Sequence, residues 1–310
     1  MKIGYIGLGR MGKNMVLHLL ENGIEVVAWN RSLEPREEVV KSGAIATEII
    51  EDLVSKLESP RIIWLMLPAG DITDEYIDKL SPLLIPGDLL IDGGNSFYKD
   101  SIRRSESLLS KGIHFMDIGT SGGPNGARTG ACLMIGGSEE DFQKIEELCS
   151  AAAAPGAYQL LGPVGSGHFA KMVHNAIEYG MMESIGEGLA ILKNGPFNYD
   201  FVQLLDLYNH RSVVESRLIG WAQDAFKEDG ELSNISSSIG SGGSGKIRTK
   251  AEGDWTVEIA KDMGIDAPAM EGSIKVRSQS SETEENSPNG FRNKVISAMR
   301  GQFGGHAVKK

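Results

Sequence analysis

Short apolar runs separated by amphipathic stretches fill the first half of the chain. Residues 2–6, 26–30, 61–67, 89–92 and 114–118 are each rich in Ile, Val, Leu or aromatic side chains, and each runs into Gly, Pro, Asn or Ser. Runs of this length bounded by turn residues predict buried strands. The polar-apolar stretches between them, residues 13–22 first among these, carry helical periodicity. Residues 132–135 and 157–161 complete the predicted sheet. After Gly162 and Pro163 the pattern changes to helices at 165–193, 201–209, 212–226, 255–263 and 268–279, with no clear strand. The expectation is an α/β Rossmann-type domain over 1–162 and an all-α domain over 163–310, with an active site between them. Residues 233–245 and 278–290 are polar and read as flexible loops.

The first strand runs directly into Gly7-Leu8-Gly9-Arg10-Met11-Gly12 and then a helix. Strand, glycine turn and helix form the context that the dinucleotide fingerprint requires. Gly7 permits the tight turn, Gly9 lets backbone approach a pyrophosphate, and Gly12 lets helix and strand pack closely. The helix N-terminus supplies amide hydrogens to the phosphates. The second strand ends in Asn30-Arg31-Ser32, where an NAD site usually carries an acidic residue for the ribose 2′-hydroxyl. Arg31 and Ser32 suit a 2′-phosphate instead, so NADP is expected over NAD. Leu67 ends the next predicted strand, Pro68 and Ala69 follow it, and the three line the same crevice. Asn95 follows the one after, placed either for substrate or nicotinamide contact or to cap a helix. The stretch from Gly119 to Gly130 is glycine-rich and reads as an elaborate loop. Its Ser121, Gly122 and Gly123 offer a hydroxyl and backbone amides.

Lys171, His174, Asn175 and Glu178 recur at helical spacing, so an amine, an imidazole, an amide and a carboxylate share one face. Phe169, Met172, Val173 and Ile177 give the same helix an apolar side. Such a stripe is either a solvated surface or the acid-base pair of a cleft.

Composition narrows the function classes. The chain has 310 residues, 41% of them apolar, enough for about two domains. With 31 Lys+Arg against 42 Asp+Glu the net charge is −11, which argues against nucleic acid as a partner. No apolar run approaches the roughly 18–20 residues of a membrane span. A strand predicted from Lys2 leaves no room for a signal peptide. Cys132 and Cys149, the two cysteines, make neither a zinc set nor a disulfide framework, and a reducing cytoplasm is the expected location.

Taken with Asp92-Gly93-Gly94-Asn95-Ser96, Ser121-Gly122-Gly123, the run from Gly167 to Asn175, Ile177-Glu178-Tyr179-Gly180, Trp255-Thr256 and Phe303-Gly304-Gly305-His306, the chain resembles the short form of the 6-phosphogluconate dehydrogenase family. That family lies within the β-hydroxyacid dehydrogenases. The resemblance implies oxidative decarboxylation of 6-phosphogluconate to ribulose 5-phosphate and carbon dioxide, with NADP or NAD as oxidant and no metal. It implies Lys171 as general base, neutral when it acts, and Glu178 as the acid that protonates C1. Asn95, Ser121, Gly122, Gly123, His174 and Asn175 would hold the carboxylate and hydroxyls. Tyr179, Lys250, Arg277, Arg300 and His306 would surround the phosphate. A homodimer or homotetramer is implied, with the C-terminal tail completing the neighbour's site. Glu252 departs from the family's longer members, which carry a small hydroxyl residue there, and would repel phosphate unless it points away. The chain also lacks their long C-terminal domain.

Overall fold

The computed structural model describes residues 1–240, 252–304 and 308. It falls into two compact units, Met1–Met172 and Val173–Lys310. In chain order the first unit holds β1 (Lys2–Ile6), α1 (Arg10–Glu21), β2 (Glu25–Trp29), α2 (Leu33–Lys41), β3 (Ile45–Ala46), α3 (Ile50–Ser55), β4 (Ile62–Leu65), α4 (Asp71–Leu80), β5 (Leu89–Asp92), α5 (Tyr98–Leu109), β6 (His114–Ser121), α6 (Gly123–Thr129), β7 (Ala131–Gly136), α7 (Glu139–Ala152) and β8 (Ala153–Gly162). The unit boundary falls inside α8 (Ser166–Lys193). The second unit continues with α9 (Phe201–Tyr208), α10 (Arg217–Glu228), α11 (Glu252–Asp262), α12 (Pro268–Gln279) and α13 (Pro288–Gly304).

The strands form one sheet in the order β3-β2-β1-β4-β5-β6-β7-β8. Strands β1 to β6 run parallel, β7 pairs antiparallel with β6, and β8 runs parallel to β7. The order reverses between β1 and β4, the switch point outside whose carboxyl ends such sheets bind ligands. Side chains alternate along each strand. Ile3, Tyr5, Trp64, Leu89 and Ile91 enter one core cluster, and Ile6, Ile63, Leu65 and Leu90 enter the other. Period-two alternation with both faces covered by helices explains the near-continuous apolar runs of the sequence. Among the described residues no strand follows β8, and the second unit has its own core around Met182, Leu205, Phe226 and Met299.

Three local readings change. Residues 123–129, expected as loop, form helix α6: Gly122 takes a φ of 117°, and Pro124 sits in the first turn. Helix α10 begins at Arg217 rather than 212, because Arg211 adopts a φ of 63° and the Ser216 hydroxyl caps the helix by accepting from Ile219 N. The polar stretch from 278 is partly ordered around Ser280, which is 2% exposed and accepts a hydrogen bond from Ile239 N, and it gives way to α13 at Pro288.

Candidate active site

The turn after β1 has the geometry its glycines require. Gly7 has a φ of 102°, and a Cβ there would lie 2.3 Å from Met66 O. A Cβ on Gly12 would lie 1.9 Å from Gly7 O, so only glycine allows α1 to pack so closely on the turn. A Cβ on Gly9 would meet nothing within 4 Å, so this position of the turn borders open space. Leu8 N donates to Asn30 Oδ1 at 2.9 Å, which ties the end of β2 to this turn. Arg31 and Ser32 are exposed beside it, as is Arg10, while Met11 is half-buried.

The loops after β4 and β5 touch each other. A Cβ on Gly94 would sit 2.6 Å from Leu67 O, and one on Gly93 would sit 2.0 Å from Trp64 Nε1. Asp92 Oδ1 accepts from Gly94 N at 3.0 Å and Asp92 Oδ2 from the Ser96 hydroxyl at 2.7 Å. Gly93, Gly94 and Ser96 are buried, whereas Asn95 is exposed, as are Pro68 and Ala69. Asn95 does not cap α5, which begins after Phe97.

The start of α8 is held against the sheet. Asp117, fully buried on β6, accepts from Gly165 N at 2.6 Å and from His168 N at 2.7 Å. A carboxylate from a neighbouring strand thus satisfies the amides that a helix start leaves open. The Ser101 hydroxyl and His168 Nδ1 lie 2.7 Å apart in the same buried layer. A Cβ on Gly119 would come within 2.4 Å of Lys171 Cβ, and one on Gly167 within 2.4 Å of Met134 O. Lys171 is 6% exposed, so the stripe is no solvated surface at this end. Ser121, Gly122 and Gly123, half-buried, mark where β6 gives way to α6.

The part of α8 in the second unit carries the rest of the stripe. His174 Nδ1 lies 3.1 Å from Asn175 Oδ1 and 4.0 Å from Glu178 Oε2. The Arg277 guanidinium stacks on Tyr179, 3.8 Å from its ring centroid. The opposite constraint is Gly253, where a Cβ would lie 2.8 Å from Tyr179 Cδ2. Burial raises the Tyr179 phenol above its ordinary range, and the charges of Arg277, Glu252, Glu178 and Arg300 all reach it. Tyr179 and Arg277 are therefore in contact, and Arg300 and Glu252 lie near enough for their charges to act on the phenol. Arg300 lies on α13, and a Cβ on Gly240 would sit 3.3 Å from its Nη1. Lys250 and His306 lie outside the described residues. Beyond them, Val308 O accepts from Ser236 N of the same chain at 2.8 Å.

Sequence reasoning missed several groups. Asp117, Gly119 and Arg104 reach this region through the fold, which no local motif announces. Glu183, one turn beyond Tyr179, is buried 3.3 Å from Arg292 Nε, with no hydrogen bond to its Oε1 among the described residues. Burial pushes its carboxyl up to about 7, against the pull of Arg292 and Arg277. Among the described residues no three or more His, Cys, Asp or Glu side chains converge as a metal site. No described helix is long and apolar enough to cross a membrane.

Two family models match the chain. Residues 2–164 match the NAD binding domain of 6-phosphogluconate dehydrogenase, and residues 167–300 match the C-terminal domain of 6-phosphogluconate dehydrogenase. The Bacillus subtilis protein YqeC is 41% identical over 310 residues, with both chains fully covered. The NAD(+)-dependent, decarboxylating 6-phosphogluconate dehydrogenase of Haloferax volcanii is 35% identical over 312 residues, covering 100% of this chain and 99% of the relative. Among solved structures, Plasmodium falciparum 6-phosphogluconate dehydrogenase superposes with a TM-score of 0.79 at 30% identity, over 96% of this chain and 70% of that one.

Proposed function

The chain belongs to the 6-phosphogluconate dehydrogenase family, and from that premise we propose that it oxidises and decarboxylates 6-phosphogluconate to ribulose 5-phosphate and carbon dioxide. The observation that carries this reading is α8, which bears a buried Lys171 and, two turns on, Glu178 beside the Tyr179–Arg277 stack. An amine and a carboxyl spaced this way supply a base and an acid, and a guanidinium fork supplies the bidentate bonds a phosphate needs.

The open backbone at Gly9 fits a dinucleotide pyrophosphate. A dinucleotide held there would supply the hydride acceptor for oxidation at C3 of the substrate. Neutral Lys171 accepts the C3 hydroxyl proton at Nζ. As a lysinium it then gives that proton to the C3 oxygen as the C1–C2 bond breaks and carbon dioxide leaves, which yields the enediol. Glu178 gives its proton to the former C2, which becomes C1 of ribulose 5-phosphate, and Lys171 takes the proton back from the former C3 hydroxyl as the ketone forms. Asn95, Ser121, Gly122, Gly123, His174 and Asn175 hold the carboxylate and hydroxyls; Tyr179, Arg277 and Arg300, with Lys250 and His306, hold the phosphate. Glu252 opposes a dianion at that end, and the arginines offset it.

NADP is the favoured oxidant, supported by exposed Arg31 and Ser32 where an acidic residue would repel a 2′-phosphate. Self-association is supported by α8 itself. Ile177, Met181, Ser184, Gly188 and Ile191 repeat at alternating spacings of four and three along one partly bare face, and Ile191 is 73% exposed. The proposed unit is a homodimer or a homotetramer, with the tail completing a neighbour's site.

The test is reduction of NADP and of NAD with 6-phosphogluconate, with carbon dioxide measured alongside. Wild type should release one carbon dioxide per reduced nucleotide and prefer NADP. Lys171→Met should lose turnover and still bind nucleotide. Reduction without carbon dioxide, or full activity in Lys171→Met, overturns the reading; preference for NAD overturns the cofactor assignment.

A further inference from the structure

A buried arginine outside the expected site joins the loops that form its cofactor side. Arg104, on α5, has a side chain 1% exposed. Its Nη1 donates to Asp92 Oδ2 at 2.9 Å and to the Ser96 hydroxyl oxygen at 3.1 Å. Its Nε donates to Asp74 Oδ1 at 2.7 Å, and its Nη2 to Gly70 O at 3.2 Å. One planar group therefore bonds the end of the β4 loop, the first turn of α4 and the loop after β5. Burial opposes the charge of Asp74, but hydrogen bonds from Arg104 and Arg103 outweigh it and hold the carboxyl below its ordinary range.

Stability alone does not explain such a group. A buried ion pair repays little more than its desolvation, and apolar replacements of similar volume are often as stable. A guanidinium offers what apolar packing does not: donors in a rigid fork that fix the distances among several acceptors. Those acceptors flank Leu67, Pro68 and Ala69 on one side and Asn95 on the other. Within residues 93–96 only Asn95 faces solvent.

We propose that Arg104 is a positioning residue: its guanidinium sets the spacing of the 67–70 and 93–96 loops and so the angle at which Asn95 meets nicotinamide and substrate. The proposal rests on the dehydrogenase reading above. A misplacement near 1 Å costs about 100-fold in rate, so a shorter cation that cannot span all four acceptors should slow hydride transfer while the fold persists.

The experiment compares wild type, Arg104→Lys and Asp74→Asn. Asp74 is 30% exposed at its side chain, so the second variant loosens the fork from its outer end without emptying a buried site. Measured for each are the melting temperature, nucleotide affinity by calorimetry, kcat and KM for 6-phosphogluconate, and the primary isotope effect with substrate deuterated at C3. Arg104→Lys should lose about 10- to 100-fold in kcat, with Asp74→Asn between it and wild type. The isotope effect should rise in both as hydride transfer becomes limiting. A folded Arg104→Lys protein with wild-type kcat and isotope effect overturns the proposal. So does a loss of kcat that only tracks the folded fraction with the isotope effect unchanged in both variants. A wild-type protein inactive on 6-phosphogluconate overturns the dehydrogenase reading, and the positioning role with it.

Discussion

Gly119→Ala tests whether the sheet places Lys171, the proposed base. The added methyl would stand 2.4 Å from Lys171 Cβ and 3.0 Å from both Lys171 Cγ and Gly167 O, whereas ordinary contact begins near 3.4 Å. Strand β6 and helix α8 must therefore part by about 1 Å at Lys171, the proposed base. Overpacking of this kind costs about 1–3 kcal/mol, which lowers the melting temperature by several degrees in a unit of this size. A shift of about 1 Å at the reacting group costs about 100-fold in turnover. The two effects separate in three measurements: thermal unfolding, nucleotide affinity by calorimetry, and steady-state oxidation of 6-phosphogluconate at a temperature where the variant is fully folded. The expected outcome is a modest fall in melting temperature, unchanged nucleotide affinity and a kcat lower by about two orders of magnitude. A destabilised variant with wild-type kcat would refute the reasoning, since Lys171 would then tolerate displacement. A parallel loss of nucleotide affinity would show a distortion spread through the sheet rather than one at Lys171.

Glu178→Gln removes the proposed proton donor and should lower turnover by about 100- to 10,000-fold, while nucleotide affinity holds; an unchanged rate would remove Glu178 from the acid's role. Glu183 has a folded value of about 7 against an ordinary 4.5, so its burial costs the folded state nothing below pH 4.5 and progressively more up to about pH 7. The melting temperature of Glu183→Gln minus that of wild type should therefore grow from pH 4.5 to about 7 and then level off; a pH-independent difference contradicts this. Burial pushes the Cys149 thiol up to about 12, whereas Cys132 is exposed, so native protein should release one equivalent to a thiol reagent and a second only after denaturation.

Much of the candidate site can be read from the sequence because its elements are local. The glycine fingerprint announces itself in six residues, and the Lys171–Glu178 stripe is a matter of helical spacing. Groups that work through tertiary contact left no such signal. Arg104 reads in sequence as one of two adjacent arginines on a polar helix, and only the fold buries it while leaving Arg103 largely exposed. Helix α13 was hidden because Asn293, Lys294 and Ser297 are buried polar residues that break its apolar pattern, and because three glycines lie within it. Helix α6 was hidden by the opposite fault: Gly123, Pro124 and Gly126 suggest a loop, yet Gly126 and Ala127 are buried in the first unit. The antiparallel β7 follows from that helix, since seven helical residues return the chain to the edge of β6.

The contact at Gly119 belongs to a longer seam. A Cβ on Gly136 would lie 2.4 Å from Asp117 Oδ1 and 2.8 Å from Gly167 N, and one on Gly167 would lie 2.7 Å from Asp117 O. Three glycines from two strands and one helix thus share a space with no room for a single methyl group. For the drift of this sequence over time, the seam matters as much as the chemistry. A random library scored for growth on the substrate should show the three positions as closed to replacement as Lys171 itself, although none of them carries a functional group. Compensating pairs should be rare there, because shrinking one member below glycine is impossible. Along the helix that bears Lys171, the proposed base, packing alone leaves this one line nearly frozen.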